Sequence, residues 1–127
     1  MEKRDNEQNK EEKMKVVGNA FSVNMLDESR ILVFKRITTK EVISEICMEK
    51  ELVSIVGHEG TANLISQVLG REIQVNRVQY KLKAGDILYV CVVKQRLEEG
   101  RVLKEEELKK VEIDWWKIQI ITGGKNG

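Results

Sequence analysis

The single histidine of this sequence, His58, lies in a setting that favours proton transfer. It stands in the stretch Gly57-His58-Glu59-Gly60, between an apolar run and the start of a helical pattern. Glycines let the backbone approach a ligand closely, and the first N–H groups of a helix point towards anions. Because an imidazole exchanges protons near neutral pH, this turn predicts acid–base chemistry on a bound anion. A histidine that only caps the helix, or only faces solvent, fits the same residues.

A second set of candidate groups follows the most strand-like segment of the chain, at 87–93. Arg96 could neutralise a phosphate, and Glu98 or Glu99 could orient a histidine or a ribose hydroxyl. Arg77 interrupts the alternation of another predicted strand. An ordinary solvated turn explains Arg96, Glu98 and Glu99 equally well. An exposed edge position explains Arg77.

Short polar side chains follow the first predicted strand at Asn19, Ser22 and Asn24. Such groups read adenine edges and ribose hydroxyls, but they also build Asx and serine turns. The sequence contains no catalytic serine motif, Walker loop or paired-aspartate metal site. With one histidine and two dispersed cysteines, a zinc site is not expected either. The sequence therefore offers no motif for a bound metal or cofactor.

The composition is that of a compact folded protein. Of 127 residues, 41% are hydrophobic and 34% are charged, which suits one domain with its own core. The formal net charge is +1, from 22 basic and 21 acidic side chains. A protein that coats duplex DNA usually carries a strong basic excess, so duplex DNA is not the expected partner. A small anionic ligand needs only a locally positive pocket.

The cysteines and the absence of long apolar runs indicate the compartment. Cys47 and Cys91 lie in apolar stretches and predict two buried, reduced thiols. No apolar run approaches the roughly 20 residues of a membrane span, and the N-terminus is charged. These features predict a cytoplasmic protein without a membrane partner.

The hydrophobic pattern predicts one α+β domain at 14–122, between a disordered charged tail at 1–13 and flexible residues at 123–127. Strands are predicted at 15–17, 31–35, 52–56, 73–82 and 87–93, helices at about 38–49, 61–69 and 104–110, and a final strand or packing segment at 113–121. The turn Ala84-Gly85-Asp86 predicts that the strands on either side of it form an antiparallel hairpin. The expected architecture is a mostly antiparallel or mixed sheet of about five strands with two or three helices packed on it.

Four longer segments are more specific than any single residue. They are GNAFSVNML at 18–26, SIVGHEGTANLISQVLG at 54–70, NRVQYKLKAGD at 76–86 and QRLEEGRVL at 95–103. In this order they resemble the viral ring nucleases of the type III anti-CRISPR family, which occurs in archaeal viruses, phages and bacterial genomes. The resemblance implies a homodimer that holds cyclic tetraadenylate, a second messenger of type III CRISPR systems, across its interface. It also implies metal-independent cleavage to linear di-adenylates in the host cytoplasm.

The resemblance assigns roles by position. It implies that the catalytic residues are His58, Arg96 and Glu99, and that the substrate-binding residues are Asn19, Ser22, Asn24, Gly57 and Arg77. In the implied reaction a ribose 2′-hydroxyl attacks the adjacent phosphorus, and protonated His58 donates to the leaving 5′-oxygen. Arg96 would stabilise phosphoryl charge, and Glu99 would hold the histidine or the arginine in place.

Three other function classes fit parts of the sequence. A non-catalytic dimer could sequester the messenger in the same polar pocket without a titratable group at position 58. A transcription regulator could bind DNA, although the even charge balance does not favour it. A structural protein of a virion would leave the turn around His58 unexplained.

Overall fold

A computed structural model of the chain describes residues 13–95 and 102–121. Within them five strands form one sheet: β1 (Lys15–Gly18), β2 (Ile31–Ile37), β3 (Val53–Ser54), β4 (Ile87–Val93) and β5 (Ile113–Ile121). Three helices, α1 (Thr39–Ile46), α2 (Glu59–Leu69) and α3 (Glu105–Leu108), and a 3₁₀ turn (Val23–Met25) complete the described part. The predicted α+β class, with about five strands and two or three helices, is confirmed.

The sheet is mixed, with strand order β2-β5-β4-β1-β3. β1 lies between β3 and β4 and is parallel to both, whereas β5 is antiparallel to β4 and to β2. Parallel neighbours place their carboxyl ends at the same edge of a sheet. The chain segments that leave β1, β3 and β4 therefore meet at that edge.

The predicted hairpin around residues 84–86 is wrong. The segment 73–82 forms no strand, and β4 pairs with β1 and β5 instead. Of its alternating apolar residues, Ile73 and Leu82 are buried and Tyr80 is half-buried, whereas Val75 and Val78 are exposed. The segment runs beside the end of β3, where the backbone N–H of Asn76 donates to Val56 O at 2.8 Å. The alternation of apolar and polar residues at 73–82 therefore marks neither a strand nor a continuous buried face.

Both faces of the sheet are covered, by different kinds of structure. Val16 and Val17 are adjacent and fully buried, yet they belong to different clusters because successive strand residues point to opposite faces. The cluster around Val17 contains residues of α1 and α2, so these two helices share one face. The cluster around Val16 is covered by loop residues such as Phe21 and Leu82.

α1 begins where its capping box predicts, whereas α2 begins at Glu59, two residues before the predicted start at 61. The Thr38 side chain accepts from the N–H of Glu41, and the Glu41 carboxylate accepts from the N–H of Thr38, which completes a capping box at α1. α2 ends at Gly70, which adopts φ 72°. Cys91 is buried as predicted, but Cys47 is exposed, because it follows the last turn of α1 on the solvent side. None of the described helices is long and apolar enough to cross a membrane.

A polar cluster ties α1 to the sheet. The Glu45 carboxylate accepts from the Tyr89 hydroxyl at 2.7 Å and pairs with Lys117 Nζ at 2.8 Å. Lys15 Nζ donates to Glu45 O at 2.5 Å and pairs with Glu49 at 3.2 Å. Burial alone would raise the pKa of the Glu45 carboxyl, but the hydrogen bonds from Lys117 and Tyr89 lower it overall. Burial, together with the bond to Glu45, raises the pKa of Tyr89.

We predict that Glu45→Gln lowers the free energy of unfolding by about 1 kcal/mol near neutral pH, because Lys117 loses its charged partner. Folding lowers the pKa of Glu45. The Glu45 carboxylate therefore adds to the free energy of unfolding above its unfolded pKa. This stabilisation is lost as the pH falls through the lower folded pKa. Thermal unfolding of both proteins between about pH 7 and pH 3 should show the difference in Tm closing in acid.

Glu51→Gln, at an exposed position, is the matched control and should change Tm little at either pH. A Glu45→Gln difference that stays constant down to acid pH would contradict the role assigned to the carboxylate.

Candidate active site

A cleft opens at the edge where β1, β3 and β4 end. Its volume is about 460 Å³, and its lining comprises Asn19, His58, Thr61, Cys91, Val92, Val93 and Gln95. The residues come from the end of β1, the start of α2 and the end of β4. In sheets with parallel strands, ligands bind in crevices outside the carboxyl ends of the strands. The only histidine of the sequence lies in this position.

His58 is the N-cap residue of α2. Its backbone is extended, with φ −130° and ψ 127°, and its Nδ1 accepts a hydrogen bond from the N–H of Thr61 at 3.2 Å. The Thr61 hydroxyl oxygen is also 3.2 Å from Nδ1. The first N–H groups of a helix have no partner within the helix, so this bond holds the imidazole at the helix start. The capping role considered from the sequence is therefore real, and it coexists with a place in the cleft.

The cap determines the tautomer of the neutral ring. A nitrogen that accepts from a backbone N–H carries no proton, so neutral His58 carries its proton on Nε2. In that form Nε2 can donate a hydrogen bond to an anion. Transfer of a proton to a leaving group also needs the doubly protonated ring, which puts a proton on Nδ1.

Asn19 and Arg77 hold the turn that precedes His58. The Asn19 side-chain oxygen accepts from the N–H of Gly57 at 3.2 Å, and Arg77 Nε donates to Gly57 O at 2.6 Å. A Cβ added at Gly57 would lie 3.5 Å from Arg77 Cγ, so the arginine stem packs directly on this glycine. Three of the predicted ligand-binding residues are thus brought together next to the histidine.

Ser22 and Asn24 are not among the residues that line the cleft. The Ser22 hydroxyl accepts from the N–H of Asn24 at 3.1 Å and caps the 3₁₀ turn. Asn24 O accepts from Lys81 Nζ at 2.6 Å. Both residues are exposed and perform the turn-forming role that the sequence left open. Their contact with a ligand stays a prediction.

Arg96, Glu98 and Glu99 lie outside the described residues. The chain reaches them from Gln95, which lines the cleft and accepts from the N–H of Glu112 at 3.4 Å. On the far side, the Gln67 side chain binds the backbone of Leu103 twice, donating at 2.7 Å and accepting at 3.1 Å. The described flanks of this stretch are therefore attached to the rim of the cleft and to α2.

Sequence reasoning missed Thr61 and Cys91 as parts of the cleft. Thr61 was detectable in principle, because the third residue after an N-cap is the usual donor to the capping side chain. Cys91 lies in the middle of an apolar strand and gave no such signal. Burial raises the pKa of its thiol to about 12, so it stays protonated and is a poor nucleophile.

A larger groove of about 1090 Å³ runs along α2 and residues 70–77. Its polar groups are largely engaged in holding the fold. Arg71 donates to Ile46 O and Glu49 O, each at 2.9 Å, and the Ser66 hydroxyl bonds to the backbone of Ala62 and Ile73. Within residues 13–95 and 102–121, no cluster of three or more His, Cys, Asp or Glu side chains could hold a metal ion. The smaller cleft, which holds the imidazole, is the better candidate site.

The chain has the fold of a defined family of small proteins. The family model described as STIV B116-like matches residues 15–115, and the chain belongs to that family. The match spans the cleft and all the described residues to which a site role was assigned. The expectation of a viral protein family is therefore confirmed at the level of the family.

Relatives from viruses of archaea resemble most of the chain. ORF116 of Acidianus filamentous virus 1 is 37% identical over 93 residues, which are 73% of this chain and 80% of that protein. Protein 26 of Sulfolobus islandicus filamentous virus is 37% identical over 89 residues, 69% and 75% of the two chains. The solved structure of B116 of Sulfolobus turreted icosahedral virus superimposes with a TM-score of 0.73 at 29% identity. That alignment covers 84% of this chain and 98% of the other.

We predict that His58→Ala lowers the free energy of unfolding by about 1 kcal/mol, because Thr61 N–H loses its acceptor at the start of α2. His58→Asn should recover most of this loss, since asparagine is among the best N-cap residues. Denaturant unfolding of the three proteins measures the difference. Equal losses in both variants would contradict the capping role.

Proposed function

We propose that this protein is a ring nuclease that cleaves cyclic tetraadenylate to linear di-adenylates, and so switches off or evades type III CRISPR immunity. The observation that carries the proposal is the position of His58 at a helix start, in a cleft at the carboxyl ends of parallel strands. The resemblance of four segments to viral ring nucleases supports the substrate.

The proposed reaction uses the substrate's own nucleophile. The O2′–P bond forms, the P–O5′ bond breaks, and the products are a 2′,3′-cyclic phosphate and a 5′-hydroxyl. The proton of the 2′-hydroxyl passes to water, and the 5′-oxygen receives a proton from doubly protonated His58. General acid catalysis of this kind contributes about 10²–10⁴-fold. A bound ring bent so that the 2′-oxygen lies in line with the leaving oxygen supplies a further part of the rate.

The cap supports Nε2 as the donating atom. Nδ1 faces Thr61 at the base of α2, so the bonds that hold the ring direct its other nitrogen away from the helix backbone. In this proposal Arg96 neutralises phosphoryl charge and Glu99 positions the histidine or the arginine. Asn19, Ser22, Asn24, Gly57 and Arg77 bind the ribose and adenine groups. No step needs a metal ion or a cofactor.

A homodimer is part of the proposal. One cleft of about 460 Å³ lies in the lower part of the range of about 300–1,000 Å³ for pockets that bury one drug-sized ligand. A ring of four nucleotides is clearly larger than such a ligand. The ring has a two-fold axis, and a homodimer whose axis coincides with it presents one histidine to each of two opposite phosphates. Two cuts then give two di-adenylates.

We predict multiple turnover of radiolabelled cyclic tetraadenylate by substoichiometric protein in EDTA. His58→Asn should lower kcat by about 10²–10⁴-fold, because it removes the proton donor but keeps an N-cap. Glu51→Gln is the surface control and should match wild type. Binding of the ring without turnover would indicate a protein that sequesters the messenger, not an enzyme. Retention of duplex DNA at 150 mM salt, with no effect of the ring, would favour the DNA-binding alternative.

We predict that a mixed dimer with one wild-type and one His58→Asn subunit makes one cut per bound ring. Differently tagged chains, co-expressed and purified through both tags, provide this species. Linear tetra-adenylate should accumulate ahead of di-adenylate, whereas wild type should give di-adenylate directly. Product analysis by ion-exchange chromatography separates the two. Production of di-adenylate at the wild-type rate per wild-type chain would show that each chain acts alone, against the shared-ring arrangement.

A further inference from the structure

Two groups of Thr61 lie at the same distance from one atom of His58. The backbone nitrogen and the hydroxyl oxygen are each 3.2 Å from Nδ1. Thr61 is 9% exposed and belongs to the first turn of α2, so the helix fixes its position. The hydroxyl is not needed for the cap, because the backbone N–H already donates to Nδ1. Its placement beside the same nitrogen therefore calls for a separate explanation.

The two groups differ in what they can do when the ring gains a proton. A backbone N–H only donates, so it repels an Nδ1 that carries a proton. A hydroxyl can rotate and change from donor to acceptor. With neutral His58 the Thr61 hydroxyl donates to Nδ1 alongside the N–H, and with the doubly protonated ring it accepts from Nδ1–H.

We propose that Thr61 is a positioning residue whose hydroxyl lets His58 gain and lose its proton without leaving the start of α2. This inference rests on the proposed function, which needs the doubly protonated ring as the acid. An accepted bond from a charged donor is roughly twice as strong as a neutral one. The Thr61 hydroxyl therefore stabilises the doubly protonated ring, from which it accepts, more than it stabilises the neutral ring, to which it donates together with the backbone N–H.

Among the described residues, the hydrogen-bond contacts seen at Nδ1 come from Thr61. Asn19 binds Gly57 N–H through its side-chain oxygen, and Arg77 binds Gly57 O. The thiol of Cys91 stays protonated, because burial raises its pKa to about 12. Glu59, the next residue, is exposed, and Gln95 is uncharged. The proposed function adds Arg96 and Glu99 as charged groups that act on the histidine or its substrate.

The test uses the single histidine as its own reporter. Thr61→Val and Thr61→Ala both remove the hydroxyl and keep the backbone N–H, whereas Thr61→Ser keeps both. An NMR pH titration of the one imidazole in each protein gives the midpoint of its protonation. We expect the midpoint to fall by roughly 0.5–1 pH unit in the first two variants and to stay at the wild-type value in Thr61→Ser. An unchanged midpoint in whichever hydroxyl-free variant folds would overturn the inference.

Kinetics on cyclic tetraadenylate provide a second readout. Loss of the hydroxyl should lower kcat about tenfold near neutral pH with little change in KM. It should also move the alkaline loss of activity to lower pH, because less of the acid form is present. Thr61→Ser should restore both. A fall in kcat with no movement of the pH profile would mean a merely structural role. If wild type does not cleave the ring, the proposed function fails, while the NMR titration still decides the role of Thr61.

Discussion

The hydrogen bond from Thr61 N–H to His58 Nδ1 is the contact on which this account depends. It places the imidazole at the first turn of α2 and determines which ring nitrogen carries the proton in the neutral state. One residue thus performs two tasks, since the side chain that completes the helix is also the candidate acid. A substitution at position 58 therefore changes stability and chemistry together, unless the replacement supplies another acceptor for Thr61 N–H and so changes the chemistry alone.

The rest of the fold presents that contact to a ligand. β1, β3 and β4 run in the same direction, so Asn19, the turn at Gly57 and Gln95 meet at one edge. A glycine at position 18 lets the end of β1 lie close to Ile55, because a Cβ there would lie only 2.8 Å from Ile55 Cγ1. The Glu45 cluster attaches α1 to three strands of the sheet. The cleft is therefore built on strands and a helix, and such elements hold side chains more precisely than loops do.

Local signals in the sequence predicted the elements but not all of their partners. The capping box at Thr38 and the glycine end of α2 were readable, because each depends on neighbouring residues, whereas 113–121 could be read only as a final strand or a packing segment. The structure of 73–82 could not be read in the same way, because alternating apolar and polar residues do not by themselves show that a segment pairs in a sheet. Cys47 was misjudged because its exposure depends on where α1 ends.

Part of the candidate site could be predicted from the sequence. His58, Asn19 and Gly57 lie together because they follow the ends of parallel strands, and Arg77 joins them from the segment 73–82 through its bond to Gly57 O. Thr61 was overlooked because a threonine in a helix is usually unremarkable, and its importance comes only from its distance to one nitrogen. Arg96 and Glu99 remain predictions of the resemblance.

The most direct measurement is a binding titration that follows the imidazole signals of His58. The ligand is a cyclic tetraadenylate whose 2′-oxygens are methylated, so that it can occupy the site but cannot be attacked. If His58 faces the bound ring in a dimer, the signals move and reach saturation at one ring for two chains. Signals that stay in place while the ring binds elsewhere on the protein would contradict it.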